Sequence, residues 1–171
     1  MNEIDVCRRS IADSKIFFIL NPHFWENCNP QIIEYVNTKD WKEVKFLDNN
    51  SGVLHASMSD LPNDKGGIYV FIAKPNIIPA SHLYILYIGR SLITEKQNLR
   101  KRCSEYPEDA RPKISRMISN WGKYLYIRYL PLEDNQLISE LEIELINTIL
   151  PPCNDKIPDK EIRDAVKAFS M

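Results

Sequence analysis

Apolar residues recur along this chain with two different periods, and the change of period marks its elements. The runs Gly66-Gly67-Ile68-Tyr69-Val70-Phe71-Ile72-Ala73 and Leu83-Tyr84-Ile85-Leu86-Tyr87-Ile88-Gly89-Arg90 are rich in β-branched and aromatic residues and predict strands. Pro75 and Pro79 exclude a continuous helix between them, so the connection is a loop. A third strand is predicted over 123–131, where Leu125, Ile127 and Tyr129 alternate with Tyr124, Tyr126 and Arg128.

Elsewhere the helical period dominates. The strongest helix covers 135–150, with Leu137, Ile138, Leu141, Leu145 and Ile149 in one stripe that Ile146 extends. Glu142 points within that stripe, whereas Glu140 and Glu144 fall outside it and read as solvated. A carboxylate on an apolar face must find a cation, a metal or hydrogen bonds. Pairing with a core arginine and ligation of a metal are both open on this evidence.

A helix over 97–106, ended by Pro107, places Leu99, Cys103 and Tyr106 on one side, with Arg102 four residues before Tyr106 on a shared face. Ile114, Met117, Ile118 and Trp121 predict a further helix closed by Gly122, and Asn29-Pro30 starts one that carries Ile32, Ile33 and Val36. The stretch 41–47 fits either a helix or a strand. A last helix over 159–169 has Ile162, Ala165, Val166 and Phe169 on one side. Turns are predicted at Asn49-Asn50-Ser51-Gly52 and at Asn63-Asp64-Lys65-Gly66-Gly67.

The composition, 171 residues with 44% hydrophobic and 26% charged, suits one elaborated globular domain. The run Ile16-Phe17-Phe18-Ile19-Leu20 is too short to span a bilayer and the start of the chain lacks the basic segment of a secretory signal, so a cytoplasmic protein with no membrane partner is expected. Cys7, Cys28, Cys103 and Cys153 have no paired-ligand spacing and read as reduced structural thiols. The net charge of −1 hides a basic centre: residues 90–128 carry ten basic and four acidic side chains. That pattern suits a local anionic ligand, and a solvated helix face accounts for the charge nearly as well.

Gly67-Ile68-Tyr69 and Tyr87-Ile88-Gly89 reproduce the two triplets that name the GIY-YIG nucleases. Asn98-Leu99-Arg100-Lys101-Arg102, Tyr106, Leu141-Glu142 within a helix, and Asn154 after the Pro151-Pro152 stop follow in that family's order. The segments 99–106 and 141–154 are similar to the incision domain of the bacterial excision-repair nuclease. The resemblance covers roughly residues 66–155. It implies a small α/β domain with a three-stranded antiparallel sheet flanked by helices over 61–171, and leaves 1–60 as an N-terminal extension for DNA or partner recognition.

The resemblance further implies metal-dependent hydrolysis of DNA phosphodiesters. By position, Arg102 matches the family's arginine, Glu142 its metal-binding glutamate, Asn154 the asparagine that closes the site, and Tyr106 a position held by tyrosine or histidine. Glu142 would hold Mg²⁺, with Mn²⁺ as the alternative, and Arg102 would fork onto the phosphate. Tyr69 is the first candidate for the general base and Tyr87 the second. Arg90, Arg100, Lys101, Arg111 and Lys113 are candidate DNA contacts. The family spacing is departed from twice, with insertions over 75–82 and 91–97; the second leaves the choice of Arg102 over Arg100 to the local match. Double-stranded DNA is the expected partner, and a homodimer would cut both strands. With no further domain after residue 171, a stand-alone restriction or phage-defence enzyme is expected ahead of a repair or homing nuclease. The competing class is a noncatalytic DNA-binding or interaction module that keeps the nuclease fold.

Overall fold

The computed structural model describes residues 3–48 and 52–168. Its strands are β1 (Lys42–Lys45), β2 (Gly66–Ala73), β3 (Tyr84–Ser91) and β4 (Leu125–Leu132), joined in one antiparallel sheet of order β1-β4-β2-β3. The three expected strands thus gain a fourth. The pattern over 41–47 is too short to define a period, and pairing with β4 settles it: Lys42 to Lys45 run opposite Tyr129 to Tyr126.

The central strand β2 is buried along its whole length, and its alternation supplies two cores. On one face Tyr69 and Phe71 meet Phe46, Leu47, Met58, Ile127 and Tyr129. Leu99 and Cys103 of α4 (Leu99–Ser104) and Ile114 and Met117 of α5 (Pro112–Trp121) close that face. On the other face Ile68, Val70, Ile72 and Ile88 pack on Ile138, Leu141 and Ile146 of α6 (Asn135–Ile149). The helical stripe of α6 therefore covers the sheet as its spacing predicts.

Capping fixes the ends of these helices. Asn98 accepts the Lys101 N–H at 2.9 Å to start α4, and Asp134 accepts from Gln136 and Leu137 to start α6. α3 (Pro30–Asn37) begins at Asn29, whose side chain accepts from Gln31 at 2.9 Å. Glu144 is not simply solvated, because it accepts the Asn29 N–H at 2.7 Å and ties α3 to α6. The last helix, α7, spans Lys160–Ala168 without a buried residue. The predicted turn at Asn49-Asn50-Ser51 and the apolar contribution of Phe169 lie outside the described residues.

Two further helices precede α3, and the second opens on the same Asn-Pro pair as α3, with Asn21 accepting the His23 N–H at 3.0 Å. α1 (Glu3–Ser14) leaves Ile4, Val6 and Ile11 exposed, so it shows no buried stripe, and α2 (Pro22–Glu26) is shorter than two turns. α1 is held by α5: the Arg116 guanidinium donates to the carbonyls of Asp13 at 2.8 Å and Lys15 at 2.9 Å, and Asn120 donates to Asp13 at 2.7 Å. These are the carbonyls that a helix leaves unpaired at its C-terminal end.

All four cysteines are free; Cys28, Cys103 and Cys153 are buried and Cys7 is exposed. Burial raises the Cys103 thiol above its ordinary range and pushes Cys153 up to about 11, so both are unreactive thiols near neutral pH. No helix among the described residues is long and apolar enough to cross a membrane.

Arg116→Ala removes the clamp without touching the sheet. Amide exchange in residues 3–14 should accelerate roughly tenfold while exchange in β2 stays unchanged, measured by hydrogen–deuterium mass spectrometry.

Candidate active site at the paired glycine-tyrosine strands

The two signature triplets lie side by side. In the β2–β3 ladder Tyr69 is opposite Gly89, Ile68 opposite Arg90, and Phe71 opposite Tyr87. Side chains alternate across a strand, so Tyr69 and Tyr87 share one face while Arg90 projects to the other. Gly89 is required by its neighbour: a Cβ there would lie 2.6 Å from the Tyr69 hydroxyl. Gly67 has φ +150° and a Cβ on it would run into the Leu130 carbonyl, so both its conformation and its space exclude a side chain.

The hydroxyls of Tyr69 and Tyr106 are 2.8 Å apart, and Tyr106 stacks edge-on with Tyr87 at 5.8 Å between ring centroids. Both Tyr69 and Tyr106 are buried, and burial raises their hydroxyls well above the ordinary value of 10.0 despite the Arg102 charge nearby. Neither is poised to become a phenolate, which weakens Tyr69 as the base. Tyr87 differs in its polar partner: Arg111 Nη1 donates to its hydroxyl at 3.3 Å.

Arg102 sits with its guanidinium carbon 4.9 Å from the centre of the Tyr106 ring and is held by Glu105 at 3.3 Å. The helix ends at Ser104 and Tyr106 stands in the 3-10 turn that follows, so the two residues meet across the helix end and not along one helical face. Arg100 points elsewhere, donating to the Leu61 and Ser59 carbonyls at 2.7 and 2.6 Å, and Lys101 donates to the Lys96 carbonyl at 2.7 Å. These two candidate DNA contacts spend their charge fixing loops. Lys113 is half-exposed and lies 3.7 Å from Asp155.

Glu142 projects from α6 toward Arg90 on the opposite face of the sheet from the tyrosines, with Arg90 Nε 3.2 Å from its carboxylate. Burial raises the carboxyl above its ordinary 4.5, and the charges that oppose this are Arg90 and, more weakly, Arg102. Arg102 therefore acts electrostatically on both halves, the tyrosine cluster and the carboxylate. No group of three or more His, Cys, Asp or Glu suited to a metal occurs among the described residues. The one candidate donor is the Glu142 carboxylate, so a hard ion held there would have to keep most of its waters and take substrate oxygens, a mode open to Mg²⁺.

Asn154 lies on the outer edge of β3. Its amide accepts the Ile88 N–H at 2.9 Å and donates to the Ile88 carbonyl at 2.8 Å. It thereby pairs the edge strand as a neighbouring strand would, between the tyrosine upstream and the arginine downstream. Asn135 repeats the device on the insertion after β3, bonding Ile93 N–H and carbonyl at 2.9 and 3.0 Å.

Sequence reasoning missed Asp109 and Glu105. Asp109 grips Arg111 through Nη2 at 2.7 Å and Nε at 2.9 Å, and this holds the carboxyl below its ordinary 3.8. The signal available was the spacing of acid and base, two residues for Asp109 and Arg111 and three for Arg102 and Glu105, which is common on any surface. Comparison of the chain with known protein families, curated proteins and solved structures finds no match.

Gly89→Ala should destabilise the protein by roughly 1–3 kcal/mol in chemical denaturation, the range for forced overpacking. Combining it with Tyr69→Leu should recover part of that loss, because the two sites are in contact. Asp109→Asn should cost stability at pH 7. Because the folded carboxyl titrates below 3.8, the wild-type advantage is fully present above that value and shrinks as the pH falls through the lower, folded one. Denaturation midpoints across that acidic range check the sign.

Proposed function

We propose that this chain is a metal-dependent DNA endonuclease of the GIY-YIG type. The observation that carries the reading is the position of Arg102: it lies over Tyr106, beside Tyr69, and its charge also acts on the Glu142 carboxyl. Phosphodiester hydrolysis requires neutralisation of an oxyanionic transition state, a proton acceptor for the attacking water and stabilisation of the leaving oxygen. Arg102 supplies the first with a guanidinium that Glu105 and the Tyr106 face hold in place.

Tyr87 takes the proton-transfer role in preference to Tyr69. Both rings are buried, but the Tyr69 hydroxyl is engaged by Tyr106, whereas that of Tyr87 accepts from the Arg111 guanidinium, which Asp109 holds. Glu142 is the residue to hold Mg²⁺ or Mn²⁺, and the bound ion would polarise the phosphate and assist the leaving oxygen. Asn154 keeps Tyr87 and Gly89 in register by fixing the main chain between them. Lys113 and Arg90 are the remaining candidates for backbone phosphates, with duplex DNA as the substrate.

A second reading, a noncatalytic DNA-binding module, is favoured by one observation: the Glu142 carboxylate is already satisfied by Arg90. The two readings separate in a plasmid-cleavage assay with Mg²⁺. Glu142→Gln and Arg102→Lys should each lower the cleavage rate by about a hundredfold or more while DNA binding, followed by fluorescence anisotropy, persists. Cleavage undiminished in both variants rejects this active site, and binding without cleavage by the wild type selects the module.

A further inference from the structure

Glu142 is the carboxylate on which the nuclease reading places the metal, yet in the free protein it faces a cation of the protein itself. The Arg90 Nε lies 3.2 Å from Glu142 Oε2, and the side chains are 35% and 21% exposed. The pair is therefore only partly withdrawn from water, and Arg90 keeps a path to solvent. Both elements are anchored independently of the pair. β3 is fixed to β2 on one edge and to the Asn154 amide on the other, while α6 is held by Leu141, Ile138 and Ile146. The Arg90 main chain also hydrogen-bonds the Glu142 carboxylate and stays with the strand, so what can move is the Arg90 side chain.

A divalent ion at Glu142 would meet the positive charge of Arg90, 3.2 Å from the carboxylate, and the weaker effect of the Arg102 charge. No group of three metal-ligating side chains among the described residues stands beside Glu142 to offset that repulsion. A phosphate changes the balance in two ways. It offers Arg90 an anion of matching fork geometry, and it brings oxygens that share the metal.

We infer that Arg90 guards Glu142, pairing with the carboxylate until a DNA backbone phosphate takes its guanidinium and opens the carboxylate to a divalent cation. The inference rests on the nuclease reading and adds to it an ordering: nucleic acid first, metal second. Arg90 is a positioning residue in this scheme, acting on the metal through Glu142. Because the two ligands favour the same arrangement of Arg90, each must strengthen the other by the same factor. The arrangement also keeps the metal off Glu142 while no DNA is present.

The test is Mn²⁺ binding, read from the electron paramagnetic resonance of the free ion, with and without a short phosphorothioate duplex that resists cleavage. Wild type, Arg90→Gln and Glu142→Gln are compared. Arg90→Gln should bind Mn²⁺ about tenfold more tightly than wild type in the absence of DNA, and should lose most of the gain that DNA gives the wild type. Glu142→Gln should show neither effect. Mn²⁺ binding by free Arg90→Gln no tighter than wild type, or an equal gain from DNA in both, overturns the guard while leaving the metal on Glu142. Wild-type Mn²⁺ binding by Glu142→Gln instead removes the metal assignment of the nuclease reading itself.

A measurement on the unaltered side chain covers the case in which Arg90→Gln does not fold. The Arg90 Nε–H resonance, assigned by its loss in Arg90→Lys, should shift when metal-free duplex is added. A resonance unmoved at saturating DNA overturns the proposal.

Discussion

The contact between the Tyr69 ring and the bare backbone of Gly89 is the constraint on which the rest of the site depends. Two strands of an antiparallel sheet bring opposite residues within about 5 Å, and a ring can lie across the neighbour only if that neighbour has no Cβ. Once Tyr69 is laid there, its hydroxyl reaches Tyr106, which fixes the turn after α4 and so the helix that carries Arg102. The aromatic cluster is thus less a source of reactive hydroxyls than a platform that aims an arginine. Its burial both rigidifies the platform and raises the Tyr69 and Tyr106 hydroxyls above their ordinary value.

The same alternation that places Tyr69 and Tyr87 together separates them from Glu142. Arg90, next to Gly89, emerges on the α6 side, where the carboxylate waits on an otherwise apolar stripe. The candidate groups therefore start from the two faces of the edge strand β3, yet lie close enough that the Arg102 charge acts on both Tyr69 and Glu142. A long edge strand is ordinarily a liability because its outer amides and carbonyls are unpaired. Here Asn154 satisfies those of Ile88, and Asn135 does the same for Ile93 just beyond the strand. Two asparagine side chains, distant in sequence, stand in for a fifth strand and hold the register on which both halves rely.

The basic centre of the chain is smaller as an electrostatic feature than as a charge count. Arg100 and Arg116 donate to main-chain carbonyls, Arg111 is gripped by Asp109, Arg128 lies 3.3 Å from Glu43, and Arg102 is held by Glu105. Guanidinium groups spent in this way set loops and helix ends in place. The charge count of the segment therefore overstates the positive charge left without a protein partner.

The strands β2, β3 and β4, the start of α3, the extent of α6 and the burial of α4 through Leu99 and Cys103 were legible from the chain alone. Each is a local matter of period, cap or stop. So was the anomaly of Glu142 on its apolar face, which demanded a partner without saying which. Tertiary structure decided what local pattern could not. The stretch 42–45 became a strand because β4 offered an open edge, Arg102 and Arg100 parted because only one faces the tyrosines, and Asn154 took up main-chain pairing that no composition reveals. Arg90 met Glu142 for the same reason. The two lie 52 residues apart in sequence, and only the packing of α6 on the sheet brings a strand arginine and a helix glutamate to 3.2 Å.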